Sequence, residues 1–433
     1  MKKTKITLRN KVIYQVFVRN HTTEGTFKAL ITDLDRIKSL GVDIVYLLPI
    51  HPIGEKNKKG TLGSPYSIQD YRLINPRLGT IDTFKELIHE VHARKMKIMI
   101  DEVLNHTSRD SKLLKEHPEY FYRNKNGEIA NKVGEWWDVV DLNYRSDKAL
   151  WFELADTLKF YARLGVDGFR MDVASLVPLD FWEYARKEVS KINRNTIWLS
   201  ESIHGDFLKY IRDQGFEGAS ESEIYQVFDM AYDYDAYPFM EAYLKGDAPL
   251  KGFLEAIKRQ DEIYPANYVK MKNLENHDTR RIADLVNLDM DKVLNWTGFL
   301  FFQKGAVMLY AGQEFVSNVR PDLFEKDVFV RNADISKFIA KLTKLKSKKV
   351  FSQGKYIVHI PEVDGVAYQS FEDDSDLFIG IFNVGQVSGE MKVQFSDGIY
   401  RNLLNGKTVK VENSQIKLGL YPIVIHLKKA EKE

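Results

Sequence analysis

The chain has 433 residues, of which 44% are hydrophobic and 29% are charged, proportions typical of a soluble globular protein. Its 63 basic and 61 acidic residues leave a formal net charge of +2, so charge predicts no nucleic-acid partner. The lack of cysteine excludes disulfides and thiolate metal sites. No apolar run reaches the roughly 20 residues of a membrane span, and no leader peptide is visible. We therefore predict a cytoplasmic protein with no membrane partner.

Short β-branched or aromatic runs alternate with amphipathic helical patterns over most of the chain. We predict eight strands, at residues 12–18, 43–49, 97–101, 166–172, 196–201, 223–229, 268–275 and 306–310. Helical patterns include residues 26–41, 83–96, 147–164 and 335–347. Eight strands separated mainly by helices predict an α/β fold that closes into a (β/α)8 TIM barrel. A doubly wound open sheet is the alternative, but no glycine-rich dinucleotide fingerprint follows the first strand.

Two regions depart from this alternation. The segment 107–146 is too long for an ordinary loop, and it predicts a subdomain inserted after the third strand. After residue 347 the pattern changes to short strands separated by turns, which predicts a C-terminal all-β sandwich domain. The predicted domains are a catalytic barrel (1–106 and 147–347), the inserted subdomain (107–146) and the C-terminal domain (348–433).

Acidic side chains stand where several predicted strands end. Asp172 ends the fourth strand, Glu201 ends the fifth and Asp278 follows the seventh. In a (β/α)8 barrel these ends meet at the face that carries the active site. Because side chains alternate along a strand, Arg170 should project beside Asp172 and lower its pKa. Glu201 follows the apolar stretch 197–199, where partial desolvation would keep it protonated near neutral pH, as an acid catalyst requires.

Individual residues also have plainer interpretations. An isolated Arg-x-Asp pair is more often a structural ion pair than a catalytic one. Trp136 and Trp137 are equally consistent with sugar stacking and with the core of the insertion. Gln313 and Glu314, after the eighth strand, suit either a cleft wall or a hydrogen-bonded turn. The joint occurrence of carboxylates on strands four, five and seven is what favours chemistry at a glycosidic bond.

Several segments resemble the signature regions of the α-amylase superfamily of glycoside hydrolases, family 13. They are DEVLNH (101–106), GFRMDVA (168–174), Glu201 after IWLS, and ENHD (275–278), with weaker matches in GVDIVYLLPI, GAVMLYAGQE and VVDLNY. The resemblance covers residues 10–345 in the family's order. It implies a retaining glycoside hydrolase that cleaves α-1,4-glucosidic bonds in maltodextrins or related α-glucan oligosaccharides.

The resemblance also implies roles for single residues. Asp172 would be the nucleophile, Glu201 the general acid/base and Asp278 the stabiliser of the oxocarbenium-like sugar. Residues implied to bind the substrate are Tyr66, Asp70, His106, Arg170, His277 and Arg281. Tyr66 would be the aromatic platform under the sugar at the cleavage point. The chemistry requires no cofactor.

The chain departs from the family pattern just after the nucleophile. Ser175 and Leu176 stand where many amylases have a Lys-His pair that serves the leaving group and a structural calcium site. Asn105 and Asp141 match two other calcium-associated positions. Because a calcium ion wants about six oxygen ligands, the sequence favours the absence of this metal.

Three other functions are consistent with parts of the sequence. A glucanosyltransferase on the same scaffold differs only in whether water or a sugar accepts the glucosyl group. A non-catalytic amylase-like binding protein would be expected to lose carboxylates or gain a membrane span, and neither has happened here. A metal-dependent hydrolase using Asp101, His106, His277 and Asp278 is disfavoured because their spacing is not that of a metal site. The sequence makes no prediction about the oligomeric state.

Overall fold

A computed structural model describes residues 4–429 of the protein. Its first ten strands are β1 (Val12–Val16), β2 (Ile44–Leu47), β3 (Lys97–Glu102), β4 (His106–Ser108), β5 (Val139–Asp141), β6 (Gly168–Met171), β7 (Ile197–Ser200), β8 (Met230–Tyr232), β9 (Lys270–Lys272) and β10 (Ala306–Tyr310). All except β4 and β5 form a closed parallel barrel, in which each strand lies beside the next barrel strand and β10 pairs with β1. The predicted (β/α)8 fold is therefore confirmed.

Helices follow most barrel strands and cover the outside of the barrel. They are α1 (Val18–His21), α2 (Phe27–Ser39), α3 (Ile81–Ala93), α4 (Lys112–Glu116), α5 (Lys148–Leu164), α6 (Leu179–Ser190), α7 (Gly205–Asp213), α8 (Glu221–Ile224), α9 (Tyr237–Lys245), α10 (Leu250–Ile263), α11 (Ile282–Leu285), α12 (Met290–Phe302), α13 (Ser336–Lys346) and α14 (Val350–Gln353). Single 3-10 turns lie at Ile6–Asn10, Pro118–Tyr120, Ala174–Leu176 and Gln313–Phe315. Capping sets several helix ends: Asp147 accepts the Ala149 N–H at the start of α5, and Gly165 ends it with φ +106°.

The predicted position of the sixth barrel strand is wrong. Residues 223–229 were expected to form it, but the strand is β8 and begins at residue 230. Ser220 and Glu223 form a capping box that starts α8, because each side chain accepts the other residue's backbone N–H. The aromatic and β-branched run after this cap therefore begins as a helix and not as a strand.

The barrel strands are buried on both faces. Inward-facing side chains form one apolar cluster, which includes Ile13, Ile44, Met99, Leu199, Met271 and Met308. The alternate side chains pack outward against the helices, as in parallel sheets generally. Asp101 lies two residues after the inward-facing Met99 on β3, so its side chain also points into the barrel. Arg170 on β6 is paired with Asp101. These two polar residues therefore close the apolar barrel interior at the end where the strands finish.

The long segment after β3 forms a small structure over the barrel. β4 and β5 pair antiparallel, and α4 lies between them. This arrangement agrees with the predicted insertion, while the boundaries 107 and 146 remain a prediction.

After α14 the chain forms two four-stranded antiparallel sheets. Their strands are β11 (Lys355–His359), β12 (Ala367–Glu372), β13 (Asp376–Phe382), β14 (Glu390–Lys392), β15 (Gly398–Arg401), β16 (Thr408–Glu412), β17 (Gln415–Lys417) and β18 (Ile423–Lys428). The first sheet has the order β11-β12-β13-β18 and the second β14-β17-β16-β15. Ile379 and Ile425 of the first sheet share an apolar cluster with Met391 and Val411 of the second. The predicted C-terminal β-sandwich is thus confirmed.

Between residues 4 and 429 we find no helix with the length and apolar character that crossing a membrane requires.

A buried charged network lies between β9 and the surrounding helices. The Lys272 Nζ lies 2.9 Å from both carboxylate oxygens of Asp233 and donates to the Gln260 side chain at 2.8 Å. Lys270 pairs in the same way with Glu221 at 2.6 Å and Asp235 at 2.8 Å. Burial raises the pKa of Asp233, and the Lys272 charge offsets this only in part. The network thus keeps two ammonium groups buried with carboxylate partners.

We expect Lys272→Met to lower the free energy of unfolding by about 3–5 kcal/mol at pH 7, because it leaves the Asp233 charge buried without its partner. Urea unfolding followed by circular dichroism measures this change. The control is Lys209→Met, whose exposed ammonium pairs with Asp213 and should contribute less than about 1 kcal/mol. Equal losses in the two variants would contradict the assignment of Lys272 to a buried pair.

Candidate active site

The polar strand ends meet in one cavity of about 310 Å³. Its wall is made by Lys59, Ser64, Tyr66, His106, Trp136, Asp138, Val139, Asp172, Val173, Glu201, Asp278, Leu323 and Phe324. The three predicted catalytic carboxylates therefore lie together, although they come from three separate strand ends. A larger hollow of about 570 Å³ lies between α14 and the β13–β18 edge, but it contains none of these carboxylates. We therefore place the candidate site in the smaller cavity.

Arg170 is the centre of the carboxylate cluster. Its Nη1 donates to Asp101 Oδ1 at 2.8 Å and to Asp172 Oδ1 at 2.9 Å, and its Nη2 lies 2.8 Å from Glu201 Oε1. The Arg170 side chain is fully buried. One guanidinium thus holds Asp172 and Glu201 side by side, in keeping with the separation of about 5–5.5 Å used by retaining glycosidases.

The predicted pKa of Asp172 needs a correction. Burial of the carboxyl and the neighbouring charge of Glu201 raise the pKa of Asp172 well above its usual value, and Arg170 opposes this only in part. Arg170 lowers this pKa, as predicted, but the net shift is upward because burial and the Glu201 charge outweigh the cation. The buried Asp172 carboxyl therefore holds its proton more tightly than a carboxyl in water does.

The turn after Asp172, the nucleophile candidate, is hydrogen-bonded to Glu201, which follows the neighbouring strand β7. Val173 adopts a left-handed backbone (φ +36°), which is unfavourable for a β-branched residue. In this conformation its N–H donates to Glu201 Oε2 at 2.8 Å, and the Ala174 N–H donates to the Glu201 backbone carbonyl at 3.0 Å. The strained turn therefore fixes Glu201 relative to Asp172.

His106 lies beside Asp172 and is uncharged above mildly acidic pH. Its Nε2 is 4.0 Å from Asp172 Oδ2, and the Asn105 side-chain amide lies 3.1 Å from its Nδ1. Burial lowers the pKa of His106 to about 4. With Nδ1 accepting from the Asn105 amide, we assign the proton to Nε2, where it can be donated toward the cavity.

Tyr66, His277 and Asp278 form a second group of contacting side chains at the site. The Tyr66 hydroxyl lies 2.5 Å from His277 Nε2 and donates to Asp101 Oδ2 at 3.0 Å, and the Tyr66 ring stacks on the imidazole. The same Nε2 is 3.0 Å from Asp278 Oδ2. Burial alone would raise the pKa of Asp278, but His277, and then Arg170, lower it below its usual value. Asp278 is therefore more readily ionised than Asp172.

Two predicted substrate contacts lie elsewhere. The Arg281 side chain is fully buried, pairs with Glu275 at 2.7 Å and donates to the Ala311 carbonyl at 3.0 Å. The Asp70 carboxylate accepts the Arg72 N–H at 2.8 Å, as in a local turn. Neither residue lines the cavity. Protein groups thus bind both side chains outside the cavity, and their contact with the sugar stays a prediction.

The structure also shows where Trp136, Trp137 and Glu314 lie, for which the sequence left two interpretations open. Trp136 lines the cavity and packs against His106, while Trp137 is 47% exposed outside it. Glu314 pairs with Arg36 at 2.6 Å and accepts the Gly312 N–H, so the turn interpretation holds there.

Two residues, Asp101 and Tyr234, had no predicted part in a glycosidase site. Asp101 accepts hydrogen bonds from Arg170, Tyr46 and Tyr66. Its position could have been noticed in the sequence, because it is an acidic residue at the end of an apolar strand. The Tyr234 hydroxyl lies 3.4 Å from Glu201 Oε1. Nothing in the local sequence around Tyr234 indicates this contact.

The residues at the predicted calcium position do not fit that ion. The Asn105 amide nitrogen faces Asp141 Oδ1 at 3.4 Å, and Asp141 Oδ2 accepts the Lys132 N–H at 2.8 Å. Burial raises the pKa of Asp141 to about 6. Donors therefore face both Asp141 oxygens, whereas calcium wants about six oxygen ligands. Within residues 4–429, no group of three or more His, Cys, Asp or Glu side chains is arranged to hold a metal.

Two solved structures resemble this chain in both sequence and fold. An alpha-amylase from Lactobacillus plantarum is 41% identical, with a TM-score of 0.94 over 98% of this chain and 100% of that chain. The maltogenic alpha-amylase AmyB from Thermotoga neapolitana is 32% identical, with a TM-score of 0.87 over 98% of this chain and 100% of that chain.

Matches to curated protein sequences cover smaller parts of the two chains. An alpha-1,4-glucan:maltose-1-phosphate maltosyltransferase from Picrophilus torridus is 28% identical over 264 residues, which are 54% of this chain and 41% of that protein. The chain spans less than half the length of the curated relatives that it matches.

Family models cover most of the chain. The model of the alpha amylase catalytic domain matches residues 12–137 and 134–352, and that of the bacterial alpha amylase C-terminal domain matches residues 358–425. These matches include all the strand ends that form the cavity and most of the β-sandwich. The chain therefore belongs to the α-amylase family, glycoside hydrolase family 13.

Proposed function

We propose that the protein is a retaining hydrolase of α-1,4-glucosidic bonds in maltodextrins or related α-glucan oligosaccharides. The observation that carries this proposal is the binding of Asp172 and Glu201 to the two terminal nitrogens of Arg170. Two carboxyls at this short range can act on one anomeric carbon from opposite faces, as double displacement requires. The family membership supports an α-glucan as the substrate.

In the first step, Asp172 attacks the anomeric carbon while Glu201 protonates the departing glycosidic oxygen. Asp172 Oδ1 is held by Arg170, so Oδ2, on the His106 side, is the attacking atom. This step requires the form with the proton on Glu201 and the negative charge on Asp172. The products of this step are a glucosyl ester on Asp172 and a free leaving chain.

In the second step, water replaces the leaving chain. Glu201, now ionised, takes a proton from the water, whose oxygen attacks the anomeric carbon and displaces Asp172. Two inversions give net retention, so the new reducing end is α. Tyr234 beside Glu201 Oε1 can hold the carboxyl in position through both proton transfers.

The remaining cavity residues bind the sugar at the cleavage point. Neutral His106 can donate its Nε2 proton to a hydroxyl, and the ionised Asp278 can accept from hydroxyls as positive charge develops on the ring. Tyr66 presents the ring face that His277 does not cover. No step requires a metal or an organic cofactor. The cytoplasmic location remains a prediction.

A glucanosyltransferase is the second candidate. Relatives named as maltosyltransferases support it, since a sugar hydroxyl can replace water in the second step. The two candidates share every residue assigned above and differ only in the acceptor.

The test is the hydrolysis of maltoheptaose, with the initial anomer followed by proton NMR. We expect shorter maltooligosaccharides whose new reducing ends are α before mutarotation. Initial β products would contradict the retaining mechanism, and no cleavage would contradict the substrate class. Early products longer than maltoheptaose, increasing with added maltose, would favour the transferase.

A further inference from the structure

Two loops that are distant in sequence join over one end of the cavity. The Leu62 N–H donates to the Phe324 carbonyl at 2.9 Å, and the Thr61 N–H donates to Glu325 Oε1 at 2.7 Å. The Thr61 hydroxyl also donates to the Glu325 carboxylate. A Cβ on Gly60 would lie 2.6 Å from the Phe324 Cβ, so the backbones are in close approach. We call residues 60–62 and 323–325 the loop clasp.

Two buried polar side chains of α1 bind the backbone on both sides of the loop clasp. Arg19, which is buried, donates to the Leu323 carbonyl at 2.5 Å and to the Gly63 carbonyl at 3.2 Å. The Asn20 amide donates to the Asp322 carbonyl at 3.0 Å. The buried Arg19 and Asn20 side chains donate to these backbone carbonyls instead of to water, and so they hold both loops in place.

The loop clasp continues into the neighbouring walls on both sides. Arg320, just before it, donates to the backbone carbonyl of Asp278. Lys59, on its other side, pairs with Asp138 of the insertion at 2.8 Å. Together these contacts form one wall that runs from the loop after β9 to the insertion.

The position of the acid/base identifies which end this wall closes. Glu201 must lie beside the departing oxygen, so the leaving chain extends on the Glu201 side, where His204 is exposed and stacks on Tyr234. The loop clasp instead adjoins Tyr66 and Asp278, which bind the sugar that receives the nucleophile. Leu323 and Phe324 of the loop clasp line the same cavity. The wall thus stands across the path of the non-reducing part of the chain.

We propose that the loop clasp closes the non-reducing side of the cleft, so that only a chain end can enter. This inference rests on the proposed function and adds the mode of attack to it. An enzyme of this form acts on the non-reducing ends of α-glucans and releases a short product of one dominant length. An internal segment of a long chain cannot lie across the site while the loop clasp is joined.

The test compares maltoheptaose with maltoheptaose whose non-reducing glucose carries a 4,6-O-ethylidene group. We expect the blocked substrate to be cleaved at least tenfold more slowly, because the added group must pass a closed wall. Equal cleavage of the two substrates into several product lengths would overturn the inference but leave the proposed function intact. Cleavage of neither substrate would instead overturn the proposed function.

Loosening the loop clasp provides the second measurement. In the double variant Thr61→Val/Glu325→Gln we expect the blocked substrate to be cleaved several-fold faster, with a broader range of products. The matched control is Thr32→Val/Glu90→Gln, an exposed position on α2 and a partly exposed one on α3, neither of which lines the cavity. Activity on a short aryl maltoside should be unchanged in both variants, which also shows that they are folded. An unchanged ratio of blocked to unblocked cleavage in the clasp variant would overturn the role of the loop clasp.

Discussion

Asp172→Ala is expected to lower kcat/KM on maltoheptaose by about 10⁴-fold, which corresponds to about 5 kcal/mol of lost transition-state stabilisation. The variant lacks the atom that forms the covalent intermediate, and no other carboxylate can replace it. Asp101 accepts from Arg170, Tyr46 and Tyr66. Asp278 is bound to His277. The steady-state rate measured with a reducing-sugar assay gives the size of the loss.

Azide distinguishes the loss of a nucleophile from the loss of an acid. In Asp172→Ala, an added azide ion can occupy the vacated space and attack an activated aryl maltoside once, which gives a β-maltosyl azide. In Glu201→Ala, Asp172 still forms the ester with an aryl maltoside whose leaving group needs no proton. Azide then displaces Asp172 and gives the α-azide. An α-azide from the Asp172 variant would contradict the assigned roles.

The catalytic strand ends could be predicted because polar residues interrupt apolar runs there. Asp172, Glu201 and Asp278 each follow a buried strand or its immediate extension, and parallel strands bring such ends to one face. The structure places all three on one cavity. The barrel and the sandwich followed from the same alternation of apolar patterns.

Side-chain partners could not be predicted in the same way. Arg281 lies three residues after Asp278, yet it turns away from the cavity to pair with Glu275. The pKa of Asp172 depends on burial and on Glu201, and neither is visible in the local sequence. Thr61 and Glu325 are 264 residues apart, so no local pattern indicates the loop clasp. These features depend on tertiary packing.

The misplaced sixth strand has a local cause. A run such as EIYQVFD has the aromatic and β-branched residues of a strand, but the capping box at Ser220 and Glu223 starts a helix within it. Two satisfied backbone N–H groups at the start of the run outweigh a weak strand preference.

Arg170→Met is expected to reduce both stability and activity. The substitution leaves Asp101, Asp172 and Glu201 buried without their shared cation, and we expect the free energy of unfolding to fall by about 3–5 kcal/mol at pH 7. The kcat on maltoheptaose should fall by about 10²–10³-fold, because the guanidinium also positions the two reacting carboxyls. Urea unfolding and steady-state kinetics measure the two effects separately.

The pH dependence of this loss has a definite sign. The pKa of Asp172 in the folded protein is raised above its unfolded value, so its contribution to stability is full below the unfolded pKa, about 3.9. That contribution is lost as the pH rises through the folded pKa. Removal of Arg170 raises the folded pKa further, because the cation had opposed the shift. The destabilisation by Arg170→Met should therefore be larger at pH 8 than at pH 5.

Arg281→Met is the matched control, because it removes a second buried guanidinium from a single carboxylate, Glu275, outside the cavity. We expect a comparable loss of stability but a kcat within a few-fold of the wild type at a temperature where both proteins are folded. Arg170→Lys should regain part of the stability, since the charge is kept, while the kcat stays low because one ammonium cannot bind two carboxylates in the same planar geometry. If Arg281→Met lost as much kcat as Arg170→Met, destabilisation alone would explain the kinetics. Arg170 would then have no separate part in holding Asp172 beside Glu201.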